Sequence, residues 1–362
     1  MSEANSENAE ARVRLWGGIG ASGHIGAAVL RALHATQPEL SIRALVRRLE
    51  DVDHLEPLYH GAVPSVLGSL EDVDIVAKEA AKAQLAISGL RPRLRPPPLH
   101  PLHLPSLQPL PPKVPHTNLR CSPYLFPSLR INPHPKTWDD ITDLNALPTD
   151  TTHASENMAI STFPGIHPLS HHAAIVSPTL VIGKSPSVRH KHPITFPDLM
   201  HVTREHEWVF FLEEGRNITT FVDTEDLAEL YVLLVNNAVG YIQGEKAVGE
   251  DIWGEKSMRE FTLHWLLPAL ERNEEGRKWL GNQEGKQVKE LEFDEVVGCI
   301  AGRLNGQGVE LWSRHIAEGF GTTMRLRGLR GKKYLGWEPR GEVKLDEAVE
   351  AVVRYFDRLE GN

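Results

Sequence analysis

Three glycines spaced three apart, Gly20, Gly23 and Gly26, carry the densest chemical signal in the chain. They lie in Gly20-Ala21-Ser22-Gly23-His24-Ile25-Gly26, which follows a β-favouring run beginning at Val13. A stretch with Ile25, Val29, Ala32 and Leu33 at helical spacing comes next. Strand, glycine turn and helix in that order form a dinucleotide-binding fingerprint. The first glycine lets the chain leave the strand sharply, the second lets backbone N–H groups approach a diphosphate, and the third lets the helix sit close on the sheet. The positive end of the helix dipole then faces the anion. The competing reading is an ordinary βα turn.

A second strand, about Ser41 to Val46, ends at the place where ribose selectivity is decided in such folds. An acidic residue about 20 positions beyond the glycines accepts from the ribose 2′-OH, whereas arginine favours the 2′-phosphate of NADP. Here Arg47 and Arg48 occupy that place and no carboxylate does, so NADP is preferred over NAD, with NAD the alternative. The plainer account of the two arginines is that they are solvated surface cations.

The elements that must position these residues alternate regularly at first. A helix at about Leu49 to Tyr59 leads to a third strand, AVPSVLG, with an irregular start at Pro64. Ser69-Leu70-Glu71-Asp72 reads as a capping box ahead of Val73, Val76, Ala77, Ala80 and Ala81 at helical spacing. A fourth strand, QLAIS, ends at Ser88 and Gly89. Repeated βα units imply a parallel, doubly wound sheet.

At Arg91 the pattern breaks. Residues 91–135 hold 14 of the 26 prolines, a density that predicts irregular or polyproline II chain with neither helix nor central strand. Arg95-Pro96-Pro97-Pro98-Leu99-His100-Pro101 fits an RxxPxxP ligand pattern, which would make this stretch a protein-partner loop. The other reading is sequence foreign to the fold, from a retained intron or a shifted frame. Beyond it, the pattern predicts a sixth strand at about Ala173 to Val181, strands at about Trp208 to Leu212 and Thr219 to Val222, and a helix from Glu225 capped by Thr224. Helices at about Met258 to Leu270, Phe293 to Leu304 and Lys344 to Leu359 complete the chain.

Composition sets outer limits. The 362 residues, 41% of them hydrophobic, suffice for one two-lobed unit. The polar, acidic start and the lack of a long apolar run predict a cytoplasmic protein, shared with the nucleus as the alternative, and no membrane partner. A net charge of -9 argues against general nucleic-acid binding. Cys121 and Cys299 are too few and too far apart for a disulfide framework. The 18 histidines include no HExxH spacing, and no metal is expected.

The turn GIGASGHIG resembles the TGATGYIG turn of the extended and atypical short-chain dehydrogenase/reductase superfamily, including its epimerase-like and NmrA-like fungal members. Later stretches are similar to further motifs in the same order. AAIVSPTLVIGKSP resembles "IVRPPTVYGPG", Phe221-Val222-Asp223-Thr224-Glu225-Asp226-Leu227-Ala228 resembles "VHVDDLA", and Leu335-Gly336-Trp337-Glu338-Pro339 resembles "LGWxP".

The resemblance implies a Rossmann-type α/β fold with a smaller C-terminal substrate lobe, interrupted by the proline-rich insert, which is foreign to the family and which its composition predicts to be disordered. The implied division is a tail at 1–11, Rossmann domain at 12–90 and 138–240, insert at 91–137, and mostly substrate lobe at 241–362. It places Ser22, His24 and Ile25 of the turn at the cofactor, Ser88 and Gly89 near it, and Ser177, Pro178 and Thr179 against the nicotinamide. Ser69 stands where relatives carry an adenine-contacting Asp.

The implied activity is NADP-dependent oxidation or reduction of an aldehyde, ketone or sugar-nucleotide carbonyl. The superfamily's Tyr-x-x-x-Lys pair, in which tyrosine donates the proton and lysine lowers its pKa, is absent. No tyrosine of this chain has a lysine four residues on, and Ala154 and Met158 stand at the matching positions. The alternative is therefore a non-catalytic NADP sensor acting through a protein partner.

Overall fold

Leu15 and Trp16 are neighbours in sequence, yet each is almost fully buried in a different core. Ile42, Ala44 and Val46 join Leu15, while Leu45 joins Trp16. Successive side chains of a strand point to opposite faces, so burial of both sets requires a sheet covered on both sides. The computed structural model describes residues 13–17, 20–69, 72–89, 116–121, 137–143, 171–193, 197, 201–202, 205, 209–212, 221–245, 258–261, 288–303, 309–310, 313–314, 316–317, 326–340 and 354.

Its strands are β1 (Arg14–Gly17), β2 (Ser41–Val46), β3 (Ser65–Leu67), β4 (Leu85–Gly89), β5 (His116–Cys121), β6 (Trp138–Asp139), β7 (His171–Pro178), β8 (Leu180–Ile182), β9 (Val209–Leu212), β10 (Phe221–Asp223), β11 (Met258–Phe261), β12 (Val288–Leu291) and β13 (Leu326–Arg327). Seven of them form one sheet in the order β11-β7-β5-β4-β1-β2-β3. Every pairing in it is parallel. The helices used below are α1 (His24–Thr36), α2 (Leu49–Leu58), α3 (Val73–Ala80), α4 (Thr224–Ile242), α5 (Phe293–Arg303) and α6 (Leu329–Leu335). Residues of α1, α2 and α4 enter the core with Leu15, and Ile75, Val76 and Ala80 of α3 pack with Trp16, so the sheet is doubly wound in the Rossmann manner.

A separate core gathers Val202, Phe293, Val296, Val297, Ile300, Ile316 and Ala317 around α5, beside the parallel pair β9–β12. Trp337, buried next to α6, donates its indole N–H to the Asp226 carbonyl at 2.8 Å. The Asp226 carboxylate accepts from Arg340 Nε at 2.8 Å, so the Leu-Gly-Trp stretch is fastened to the start of α4.

Several local expectations are corrected. The proline-rich stretch contains β5, a central strand between β4 and β7; its six residues, His-Thr-Asn-Leu-Arg-Cys, contain no proline and so keep every ladder N–H. Met258–Phe261 is a strand rather than a helix, because it completes β7 at the edge of the sheet. The expected strand at 173–181 is divided at Thr179: β7 stays in the main sheet and β8 turns away to pair with β10. Asp223, not Thr224, caps α4, its carboxylate accepting the Glu225 N–H at 2.7 Å. Before α3 the cap position is Asp72, whose carboxylate accepts the Ser69 N–H at 2.6 Å, so the capping box is only half formed. The expected tail at 1–11 lies outside the described residues, as does the 344–359 helix apart from helical Arg354.

Candidate functional site

Strand order reverses at β1: the chain runs outward through β2 and β3, then returns to place β4 on the other side. In open α/β sheets ligands bind at the carboxyl ends of the strands at this switch point. The glycine turn follows β1 directly. Gly20 adopts φ +81°, which side chains disfavour, and its carbonyl accepts the Gly23 N–H at 2.7 Å. A Cβ on Gly26 would lie 1.9 Å from the Gly20 carbonyl oxygen, so the helix can begin this close to the turn only if residue 26 is glycine.

The N-terminus of α1 has neither a side-chain cap nor an acidic residue in its first turn. Its leading amides have no intrahelical acceptors and make an electropositive end. The turn's carbonyls face elsewhere, because the loop at residues 183–193, a strap over the turn, claims them. Ser185 Oγ donates to the His24 carbonyl at 2.6 Å, and Ser187 Oγ donates to the Ser22 carbonyl at 2.6 Å. Each hydroxyl is also an acceptor: Ser187 N–H donates to Ser185 Oγ at 3.1 Å and His190 N–H to Ser187 Oγ at 2.9 Å. Both serines are buried. The result is a turn whose oxygens are tied back into the protein; apart from the Gly23 N–H, which the Gly20 carbonyl takes, its N–H groups are the polar surface it can offer an anion.

His24 is buried as well. Its Nδ1 lies 3.0 Å from the His190 carbonyl and its Nε2 lies 2.9 Å from Thr224 Oγ1, which itself donates to the Ile182 carbonyl at 2.6 Å. Burial pushes the imidazolium down from 6.5 to about 4, opposed by the hydrogen bond to His190 and helped by the neighbouring His192 and His190. Ser22 Oγ donates to Asp51 Oδ2 at 3.2 Å, and Asp51 Oδ1 accepts from Arg189 Nε of the strap at 2.5 Å. The strap therefore links the starts of α1, α2 and α4.

Arg47 and Arg48 stand exposed where β2 ends, and among the described residues neither has an ion-pair partner. By contrast Arg43, Arg189 and Arg340 are each held by buried carboxylates, Glu79, Asp51 and Asp226. Ser69 sits past the end of β3, and Ser88 and Gly89 extend β4 beyond Ile87, the residue paired with Gly17 of β1. These positions and the turn share the carboxyl edge of the sheet. Ser177 and Pro178 end β7 opposite Glu260 and Phe261 of β11, three strands from β1, about 14 Å at ordinary strand spacing. Thr179 is buried, and among the described residues its hydroxyl has no hydrogen-bond partner. His153, Ala154 and Met158 lie outside the described residues.

Sequence reasoning missed Ser185, Ser187, Asp51 and Arg189. Their partners lie between 29 and 165 residues away, and no local spacing announces such pairings.

No family model and no curated protein matches the sequence. Solved structures do match in shape. Yeast methylglyoxal/isovaleraldehyde reductase Gre2 complexed with NADPH is 13% identical at a TM-score of 0.53, over 97% of this chain and 100% of that one. UDP-glucose 4-epimerase of Thermotoga maritima with UDP-glucose is 12% identical at 0.54, over 96% and 100%. The dTDP-glucose 4,6-dehydratase of Bacillus anthracis in complex with NAD is 9% identical at 0.56, over 96% and 98%. At these identities the likeness is one of fold. The chain has the Rossmann fold shared by extended short-chain dehydrogenase/reductase and epimerase–dehydratase proteins.

Proposed function

We propose that the chain binds a nicotinamide dinucleotide, NADP in preference to NAD, across the carboxyl edge of the seven-stranded sheet. The observation that carries this reading is the uncapped start of α1, with the turn's carbonyls tied back by Ser185 and Ser187. Gly20, Ser22, His24, Ile25 and Gly26 would hold the diphosphate through backbone N–H groups, while Gly23, whose own N–H is donated to the Gly20 carbonyl, would let the backbone come close to it. Arg47 and Arg48 would take the 2′-phosphate, since they are charged, exposed and unpaired among the described residues. Ser69, Ser88 and Gly89 would lie along the adenosine and ribose. Ser177, Pro178 and Thr179 would lie at the nicotinamide, where the unpartnered Thr179 hydroxyl has hydrogen-bonding capacity to spare. The structural neighbours solved with NADPH and with NAD support the class of cofactor.

Bound there, the cofactor supplies hydride transfer to or from a carbonyl carbon. The protein's own part would be orientation and exclusion of water, with the α5 core forming the lobe that takes an aldehyde, ketone or sugar-nucleotide substrate. A second reading has a specific observation behind it: no Tyr-x-x-x-Lys pair exists in the sequence. On that reading the protein is an NADP sensor that signals to a protein partner. Titration with NADPH followed by nicotinamide fluorescence, together with consumption on aldehydes and sugar nucleotides, separates the two. Turnover supports the oxidoreductase, binding without turnover supports the sensor, and absence of binding removes both.

A further inference from the structure

The hydrogen-bond chain through His24 holds one more contact than a neutral histidine can fill. It runs from the His190 carbonyl to Nδ1, from Nε2 to Thr224 Oγ1, and from that hydroxyl to the Ile182 carbonyl. Both ends are carbonyl oxygens, which only accept. Three contacts therefore need three hydrogens. Thr224 brings one and neutral imidazole brings one; only the imidazolium brings the third. With Thr224 donating to Ile182, Nε2 must donate to Oγ1, and Nδ1, facing a carbonyl, must donate too.

Burial nevertheless keeps the ring neutral in the free protein at neutral pH. One contact is then a lone pair against a lone pair, a mismatch enclosed in the interior. What would change the balance is negative charge at the helix end that His24 itself begins. On general grounds a unit anion about 6 Å from an imidazole, at an effective dielectric near 20, raises the imidazolium by about two pH units.

We propose that His24 is a positioning residue charged on demand: a diphosphate bound at the start of α1 draws one proton from solvent onto His24 and completes the His190–His24–Thr224–Ile182 chain. The step is a bare proton transfer, in which an N–H bond forms on the imidazole and the buffer acid gives up its proton. The completed chain locks the turn to the strap and to α4, so the site stiffens as it fills. This inference rests on the dinucleotide reading above. Other ionisable groups on the elements packed against His24 are Lys184, Arg189, His190, Lys191 and His192 on the strap, Asp223, Glu225 and Asp226 at the start of α4, and Asp51 of α2, which pairs with Ser22. His190 and His192 are the competing proton acceptors, and the test must separate them from His24.

The experiment is calorimetric titration of the full chain with NAD+ at pH 6.5, in two buffers of different ionisation heat. NAD+ is the probe because it lacks the 2′-phosphate, whose own ionisation falls near pH 6. The expected result is uptake of about a quarter of a proton per NAD+ at pH 6.5, rising to about 0.8 at pH 5, and affinity about tenfold tighter at pH 5 than at pH 8. In His24→Phe the uptake falls close to zero. Thr224→Val, which keeps the volume and removes the hydroxyl, lowers it as well. Binding without net uptake, or uptake unchanged in His24→Phe, overturns the inference and leaves the dinucleotide reading standing. Failure to bind either NAD+ or NADP+ overturns both.

Discussion

The carbonyl oxygen of His24 accepts the hydroxyl proton of Ser185 at 2.6 Å across 161 residues of chain. This contact, with its companion from Ser187 to Ser22, decides which way the glycine turn presents its dipoles. An anion site needs N–H groups outward and oxygens inward, and the strap supplies the second condition.

Removing the strap hydroxyls should therefore weaken dinucleotide binding more than it weakens the fold. Ser185→Ala leaves the His24 carbonyl without its donor and Ser187 N–H without its acceptor. A lost buried hydrogen bond of this kind costs about 1–3 kcal/mol. We expect Kd for NADPH to rise about tenfold in Ser185→Ala, measured by fluorescence titration. Ser187→Ala should add a loss of its own, because Ser187 Oγ makes separate bonds, donating to the Ser22 carbonyl and accepting the His190 N–H, so the double variant should lose about the sum of the two.

Gly26→Ala should abolish binding, since its Cβ would meet the Gly20 carbonyl oxygen at 1.9 Å and force the turn open. A matched control exists in α5: a Cβ on Gly298 would meet nothing within 4 Å. Gly298→Ala should stabilise the chain by about 0.5–1 kcal/mol through helix propensity, while leaving Kd unchanged. Thermal melts and NADPH titrations of the pair check both halves.

Cofactor choice should reside in Arg47 and Arg48. Replacing both by Ala is expected to weaken NADP+ about 10- to 100-fold and NAD+ less than threefold, from the loss of charge-assisted hydrogen bonds. Parallel titrations with the two dinucleotides at fixed salt give the ratio directly. Equal losses for both would mean that the arginines do not meet the 2′-phosphate.

Acid should destabilise the free protein through His24. Its folded value, about 4, lies below the unfolded 6.5, so the unfolded chain takes the proton first. The contribution of neutral His24 is intact above pH 6.5 and is lost as pH falls from 6.5 to about 4, by roughly 3 kcal/mol at the limit. Urea midpoints for wild type and His24→Phe, compared at pH 7, 5 and 4, should converge on the acid side by about this amount.

The parallel sheet was legible because local signals agreed: glycine turn, β-favouring runs and helical spacing all pointed to βα units through Ser88. The elements read wrongly were those decided by neighbours far along the chain. Met258–Phe261 reads as helix by its own pattern and becomes a strand because the β7 edge needs a partner. His116–Cys121 is hidden by the prolines on either side and revealed only by its place between β4 and β7. Thr224 has the composition of a cap, but its hydroxyl is taken by Ile182 and His24, so Asp223 does the capping. Of the proposed site, the glycines and the arginine pair can be found by spacing alone. The serines that orient the turn could not, because their partners are 161 and 165 residues away.

The central claim is that the turn from Gly20 to Gly26 holds the diphosphate of a nicotinamide dinucleotide. Calorimetric titration of the full chain, of Arg47→Ala and of Gly26→Ala with NADP+ at one salt concentration tests it most directly. The account predicts a single saturable site in the wild type, weakened in Arg47→Ala and lost in Gly26→Ala while that variant still melts cooperatively. No heat with NADP+ or NAD+ in the wild type, or undiminished binding by a folded Gly26→Ala, would contradict it.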